Sequence, residues 1–364
     1  MGKCHWWPLF AAAVVITGGA FIITYFTHTG IFAESSQSSN STTPSSKPTK
    51  NATCSTRGYY ANSKNDCVAC PVPTKTFAVF WQTYTDGCLD FIKTDAFKYI
   101  THVYWGFALI NNQTGAVSQS FQGNDATLQT KCVKQYASIG GQTMRTNFLA
   151  LNTPAKIATF GETAAKLVQK FGFDGIDIDD ESGNVLAGGD WKTTASTNVE
   201  AYLTSLRSNL DALPRKAQEP AYGVTWDEFF TSLDPTCNTA TGDYQRCYDP
   251  KITPLVDQVN IMAYNAETAA TYDNLLMTTV PTAWTAVIPA TKLVMGGCVG
   301  TPTDQGACSY GATPTGKQLA AYAADGATKY GGTMLWTGST DIELSNGANI
   351  INMGKAGSYG FALS

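Results

Sequence analysis

From Thr74 onward the chain alternates short apolar, β-branched runs with longer stretches of helical character. The runs fall at Thr76–Trp81, Ile100–Leu109, Val133–Ile139, Phe173–Glu181, Ala221–Trp226, Gln258–Tyr264, Lys292–Val299 and Thr333–Thr337. Their spacing of about 25–45 residues leaves room for a crossover helix each time, as parallel strands require. Helix signals sit between several of them. Thr153-Pro154 opens a helix over Ala155–Phe171 with proline at the first helical position. Thr315 and Gln318 form a capping box before Leu319–Lys329. Eight parallel strand-helix units in this length predict an α/β fold, a (β/α)8 barrel over residues 74–364.

The residues before Thr74 follow a different pattern. Pro8 to Phe26 is a run of 19 residues without a charge. It is long enough to span a bilayer and longer than the usual signal-peptide core of about 7–15 residues. Lys3 precedes it, and no lysine or arginine follows until Lys47. That asymmetry places the N-terminus in the cytosol and the remainder outside. Ile31-Phe32-Ala33 offers a cleavage site, so residues 1–33 read as a signal anchor or a signal peptide, and the product as membrane-anchored or secreted. Residues 34–53 are rich in serine and threonine and read as a flexible stalk. Asn40, Asn51 and Asn112 are glycosylation acceptors. Residues 54–73 form a small cysteine-rich segment. It reads as a stapled spacer, or as a carbohydrate-binding knot with Tyr59 and Tyr60 as stacking faces.

Composition narrows the chemistry. A net charge of −4 gives no basic surface for nucleic acid. Three histidines, two of them before residue 29, argue against a histidine metal site or a Ser-His-Asp triad. Ten cysteines point to an oxidising compartment. Cys237 with Cys247, and Cys298 with Cys308, look like local bridges. Cys54, Cys67, Cys70 and Cys88 can form two more in an order the sequence leaves open. Cys132 is left over and reads as a buried free thiol; a zinc site at Cys67-x-x-Cys70 lacks a second close pair.

The most unusual stretch is Phe173-Asp-Gly-Ile-Asp-Ile-Asp-Asp-Glu181. On a strand, Asp177, Asp179 and Glu181 share one face at about 6–7 Å intervals. Buried carboxylates cost several kcal/mol each unless they are protonated, paired or hydrogen-bonded. The flanks are apolar or glycine, as in a buried parallel strand, and the turn glycine and twelfth-position glutamate of a calcium loop are missing. Glu181 is outermost and reachable. Asp179 beside it disfavours a second charge and raises the upper pKa of the pair. Asp179 can also share a proton with Asp177 beneath it.

This stretch resembles the DGxDxDxE strand of glycoside hydrolase family 18, the chitinases and endo-β-N-acetylglucosaminidases. Ser138-Ile-Gly140-Gly141 is similar to the family's SxGG motif, and Met262-Ala-Tyr264 to its MxY motif. Trp336 ends the last strand where the family has an aromatic floor. Two departures stand out. Gln142 follows SxGG where an aromatic is common, and Asn265 follows the tyrosine where aspartate is common. The resemblance implies a substrate-assisted retaining hydrolase with Glu181, Asp179, Asp177 and Tyr264 as catalytic residues. Glu181 would protonate the leaving oxygen, Asp179 would orient the substrate's acetamide, and Tyr264 would bond its carbonyl. The implied substrate-binding set is Trp336, Met262, Asn265, Phe107, Trp226, Gly140 and Gly141, with Trp81, Trp105 and Trp191 as further stacking candidates. Chitin or another N-acetylglucosamine polysaccharide is the implied partner, acted on by a monomer with no metal or organic cofactor. N-glycan cleavage, and a chitin-binding lectin on an inactive barrel, are the alternatives.

Overall fold

The computed structural model describes residues 54–83, 94–120, 126–182, 191–234, 237, 246–301, 307–361 and 363. Pro8–Phe26, the stalk with Asn40 and Asn51, Cys4 and Cys88 lie outside the described residues. Among the described residues no helix is long and apolar enough to cross a membrane.

Eight parallel strands close into a barrel: β1 (Thr76–Gln82), β2 (His102–Ile110), β3 (Lys134–Gly140), β4 (Gly175–Asp179), β5 (Gly223–Phe229), β6 (Gln258–Met262), β7 (Leu293–Cys298) and β8 (Gly332–Trp336). β8 pairs with β1 and β1 with β2, so the sheet has no open edge within the ring. All eight expected strands are present. The largest boundary error is at β5, which begins two residues later than expected and runs three residues further, to Phe229.

The helical layer is less regular than the expected strand-helix repeat. Helix α1 (Pro154–Phe171) follows β3, α2 (Trp191–Asp211) follows β4, and α3 (Gly316–Thr328) follows β7. After β5 the described residues form only a short 3-10 segment, Pro250–Leu255. After β8 two short helices close the chain, α4 (Gly338–Ser345) and α5 (Ala348–Gly357).

Local chemistry sets the ends of α1. The Thr153 side chain accepts from the Lys156 N–H, and Gly172 terminates the helix at φ 68°. Phe160, Ala164, Leu167 and Val168 form its buried stripe. The capping box at Thr315 and Gln318 is made in both directions.

The cysteine-rich segment caps the N-terminal end of the barrel. Its hairpin (Tyr59–Ala61 with Cys67–Ala69) is closed by Cys54–Cys67. Cys70 bonds Cys132, which precedes β3. Arg57 pairs with Asp174 at 3.1 Å, just before β4, and stacks over Tyr222 at 4.1 Å, just before β5. This corrects two expectations. Cys132 is not a free thiol, and Cys54, Cys67, Cys70 and Cys88 do not form two bridges among themselves, because Cys70 pairs with Cys132. Tyr60 is buried rather than a stacking face. Cys237–Cys247 and Cys298–Cys308 form as expected. The Cys70–Cys132 bridge closes a loop of 62 residues. Replacing both cysteines with serine is expected to lower unfolding stability by about 2–4 kcal/mol. A urea denaturation curve measures this, and an unchanged midpoint would show that the cap adds nothing to the barrel.

Candidate active site

The carboxylate face of β4 points into the barrel, and strand register decides what surrounds it. Asp177 lies level with Ser138 on β3 and with Thr225 on β5. Both hydroxyls donate to it: Ser138 Oγ to Oδ2 at 2.7 Å, and Thr225 Oγ1 to Oδ1. Asn260 Nδ2 reaches the same Oδ1 at 3.3 Å and Asp227 Oδ1 at 2.8 Å. The Asn260 amide thus bridges the carboxyls of Asp177 and Asp227. Burial pushes Asp177 up to about 6, and the Thr225 and Ser138 hydroxyls limit the rise.

Asp179 sits one step higher on the same face, and its Oδ1 is buried without a hydrogen-bond partner. Burial, then the negative charges of Glu181 and Asp177, push its pKa well up. Asp227, from the neighbouring strand, is a further buried carboxyl beside this column. Gly140 and Gly141 let β3 approach here. Gly140 adopts φ 127°, and a Cβ on it would stand 2.1 Å from the Asp179 carbonyl. Gly141 N–H donates to that same carbonyl at 2.9 Å.

Glu181 lies just past the end of β4 and is half-buried. Burial lifts its carboxyl to about 7, with the Arg246 and Arg145 guanidiniums opposing and Asp180 adding to the rise. The Gln142 backbone N–H bonds the Glu181 carboxyl. Arg145 Nε donates to the Glu181 main-chain carbonyl at 2.7 Å. Tyr264 follows β6 and is 8% exposed; burial, then Asp179 and Asp227, raise its phenol well above the ordinary range, so it remains a donor. Phe107 and Trp336 stack at 5.7 Å and 28°, with Phe80 edge-on to Trp336 at 5.3 Å. Both stacked rings are only partly buried.

Residues 76–305 match the family model described as Glycosyl hydrolases family 18. The chain belongs to this family. Its curated relatives include Endochitinase 1 of Metarhizium anisopliae, 28% identical over 138 residues, which are 36% of this chain and 28% of that protein. Chitinase 1 of Aphanocladium album is 30% identical over 142 residues, 38% of this chain and 29% of that protein. The matched region thus spans under a third of these relatives' length. Among solved structures, a class V chitinase of Nicotiana tobaccum in complex with NAG4 aligns with TM-score 0.59 and 15% identity over 79% of this chain and 100% of that one. A chitinase-like agglutinin of Robinia pseudoacacia aligns with TM-score 0.55 and 16% identity over 77% and 99%. These likenesses establish the barrel.

Within this family-18 barrel the expected residues divide. Asp177, Asp179, Glu181, Tyr264, Gly140 and Gly141 gather at one end of β3, β4 and β6. Met262 follows Asn260 on the inner face and is buried. Trp336 and Phe107 form one aromatic plate. Trp226 does not join the site. It is 1% exposed, donates Nε1–H to Glu228 at 3.0 Å and lies under Arg246. Strand alternation requires this, because Thr225 and Asp227 point inward. Trp81 and Trp105 are likewise buried, with Trp105 Nε1 bonded to Gln135. The side chain of Trp191 lies outside the described set. Asn265 stands at φ 57° and accepts from the Ser309 N–H at 2.8 Å, so its oxygen fastens the loop after β7.

Sequence reading missed Asp227 and Arg246. Asp227 was hidden by ending β5 at Trp226. Arg246 fills the outer side of the same strands. It donates Nε to Glu228 at 2.9 Å, Nη2 to the Asp227 carbonyl at 3.1 Å and Nη1 to the Asp180 carbonyl. Tyr202 closes this network with a 2.6 Å bond to Asp180.

Proposed function

We propose that the chain hydrolyses β-1,4 linkages between N-acetylglucosamine units, in chitin or chitooligosaccharides, by a substrate-assisted retaining mechanism. The observation that carries this is Glu181: a half-buried carboxyl poised near pH 7 above a column of carboxyls inside a family-18 barrel. An acid with that pKa is protonated often enough to donate at neutral pH. Glu181 protonates the leaving oxygen. Asp179 orients the acetamide of the sugar beneath the scissile bond, Tyr264 bonds its carbonyl oxygen, and Asp177 anchors the column. The Phe107–Trp336 plate receives the apolar face of that sugar. The chain acts outside the cytosol, either tethered through Pro8–Phe26 or released after cleavage near Ala33, with residues 34–53 as the stalk.

The same barrel occurs in a protein described as an agglutinin, so the fold does not separate catalysis from binding. The intact acid favours catalysis. A product profile on chitin hexamer, set against a high-mannose glycoprotein, tests the reading. Shortened oligomers from the hexamer are expected. Release of the N-glycan alone would make the protein an endo-β-N-acetylglucosaminidase, and binding without cleavage a lectin. The pH dependence follows from the acid. Because the folded pKa of Glu181 is raised, its protonated form persists up to about pH 7. Plotted against pH, kcat/KM should hold below that value and fall above it. A profile flat well into the alkaline range would remove Glu181 from the acid role.

A further inference from the structure

The ladder between β4 and β5 ends at Ile178 and Trp226. Past that point Arg246 links the two strands. Its Nη2 donates to the Asp227 carbonyl on β5 at 3.1 Å, and its Nη1 to the Asp180 carbonyl just after β4. The residue is 5% exposed, and a buried cation needs an anion. Glu228 supplies it, accepting from Arg246 Nε at 2.9 Å. That carboxylate is itself fixed. Ser232 Oγ and the Phe229 N–H donate to its Oε1 at 2.7 and 3.0 Å, and Trp226 Nε1–H to its Oε2 at 3.0 Å. The backbone that carries the arginine is fastened as well. Cys247, the next residue, is bonded to Cys237, and the Tyr248 N–H donates to the Ser232 carbonyl at 2.9 Å.

The position of these contacts gives them a consequence for the acid. Glu181 lies past Asp179, the last residue of β4, so the strand ladder does not hold it. The Asp180 carbonyl belongs to the peptide that leads into Glu181, and Arg246 holds it. The Glu181 carbonyl belongs to the peptide that leads out, and Arg145 Nε holds it at 2.7 Å. Peptide units are planar, so fixing both carbonyls fixes the two backbone torsions of Glu181. The Asp180 side chain adds to the hold: Oδ1 accepts from the Ser182 N–H at 2.8 Å and Oδ2 from Tyr202 Oη at 2.6 Å.

We propose that Arg246 is a positioning residue for the acid: its guanidinium bridges β4 and β5 beyond their ladder, fixes the Asp180–Glu181 peptide and so aims the Glu181 carboxyl at the leaving oxygen. Lysine cannot replace it, because a single ammonium on a flexible stem lacks the planar fork that holds two carbonyls and a carboxylate at once. The kinetic consequence rests on the hydrolase reading; the backbone clamp does not.

Both can be tested on the full chain. Cleavage of chitotetraose expels a sugar hydroxyl, which must take a proton from Glu181 as it leaves. Cleavage of a dinitrophenyl chitobioside expels a phenolate that needs none. Arg246→Lys should lower kcat/KM on chitotetraose by about 10²-fold, the cost of misplacing a reacting group by about 1 Å. On the dinitrophenyl substrate kcat/KM should change by less than about threefold, because acid assistance matters little there. A general loss of structure would lower both alike. That result overturns the proposal, as does a chitotetraose rate near that of wild type. Should Arg246→Lys fail to fold, Arg246→Met combined with Glu228→Gln removes both buried charges together, and the same split decides. Amide hydrogen exchange reads the clamp without substrate. The Ser182 N–H should exchange about tenfold faster in the variant while the amides of β1 keep their protection. Unchanged Ser182 exchange refutes the clamp whether or not the protein is an enzyme. A wild type that cleaves neither substrate, with the exchange difference present, would refute the hydrolase reading alone.

Discussion

Glu181→Gln is expected to lower turnover of a fluorogenic chitotrioside by about 10²–10⁴-fold, the range for losing a general acid. The amide has the same shape and accepts the Gln142 N–H as the carboxyl does, so the site should keep its form. It has no proton to give to a leaving oxygen. The natural side chain suits the task because half-burial has lifted it to about 7, while Arg145 and Arg246 prevent a larger rise. Oligosaccharide binding, measured by calorimetry on chitotetraose, should survive, since Trp336 and Phe107 are untouched. A variant that keeps more than about a tenth of the wild-type rate would show that another group supplies the proton.

The second large effect concerns the nucleophile. In the proposed mechanism the substrate's acetamide attacks, so fully deacetylated chitosan should not be cut at all. An amine cannot close the five-membered ring. Asp179 is proposed to orient that acetamide: it is buried, its Oδ1 is unpartnered, and Tyr264 stands nearby as a neutral donor. Asp179→Asn should therefore slow hydrolysis by about 10²–10³-fold, comparable to losing one charge-stabilising group in an acyl-transfer site. Proton NMR of early turnover gives the stereochemistry, and the β-anomer should appear first. A first-formed α-anomer would mean direct attack by water, and the roles given to Asp179 and Tyr264 would fall with it.

The reading of Gln142 shows how a departure from a motif can matter less than it looks. The position departs from the family motif because its side chain is not aromatic. What the structure uses there is the backbone N–H, which any residue but proline supplies. Asn265 shows the reverse. Its side chain was assigned to substrate, yet its oxygen fastens the loop after β7.

The sequence alone determined the eight strands, the ends of α1 and α3, and the column of Asp177, Asp179 and Glu181. Each depends on short-range rules: β-branched runs, caps within three residues, and alternation along one strand. Tertiary structure decided what the column is bonded to. Ser138 lies 39 residues from Asp177, Thr225 48 and Asn260 83. Only the register of β3, β5 and β6 brings them level. That register follows from barrel closure and from how the strands stagger around the ring, which no local stretch encodes. The same dependence hid the Arg246 network and the Cys70–Cys132 bridge. Each joins residues whose neighbours in sequence lie on other strands, so their chemistry exists only once the ring is closed.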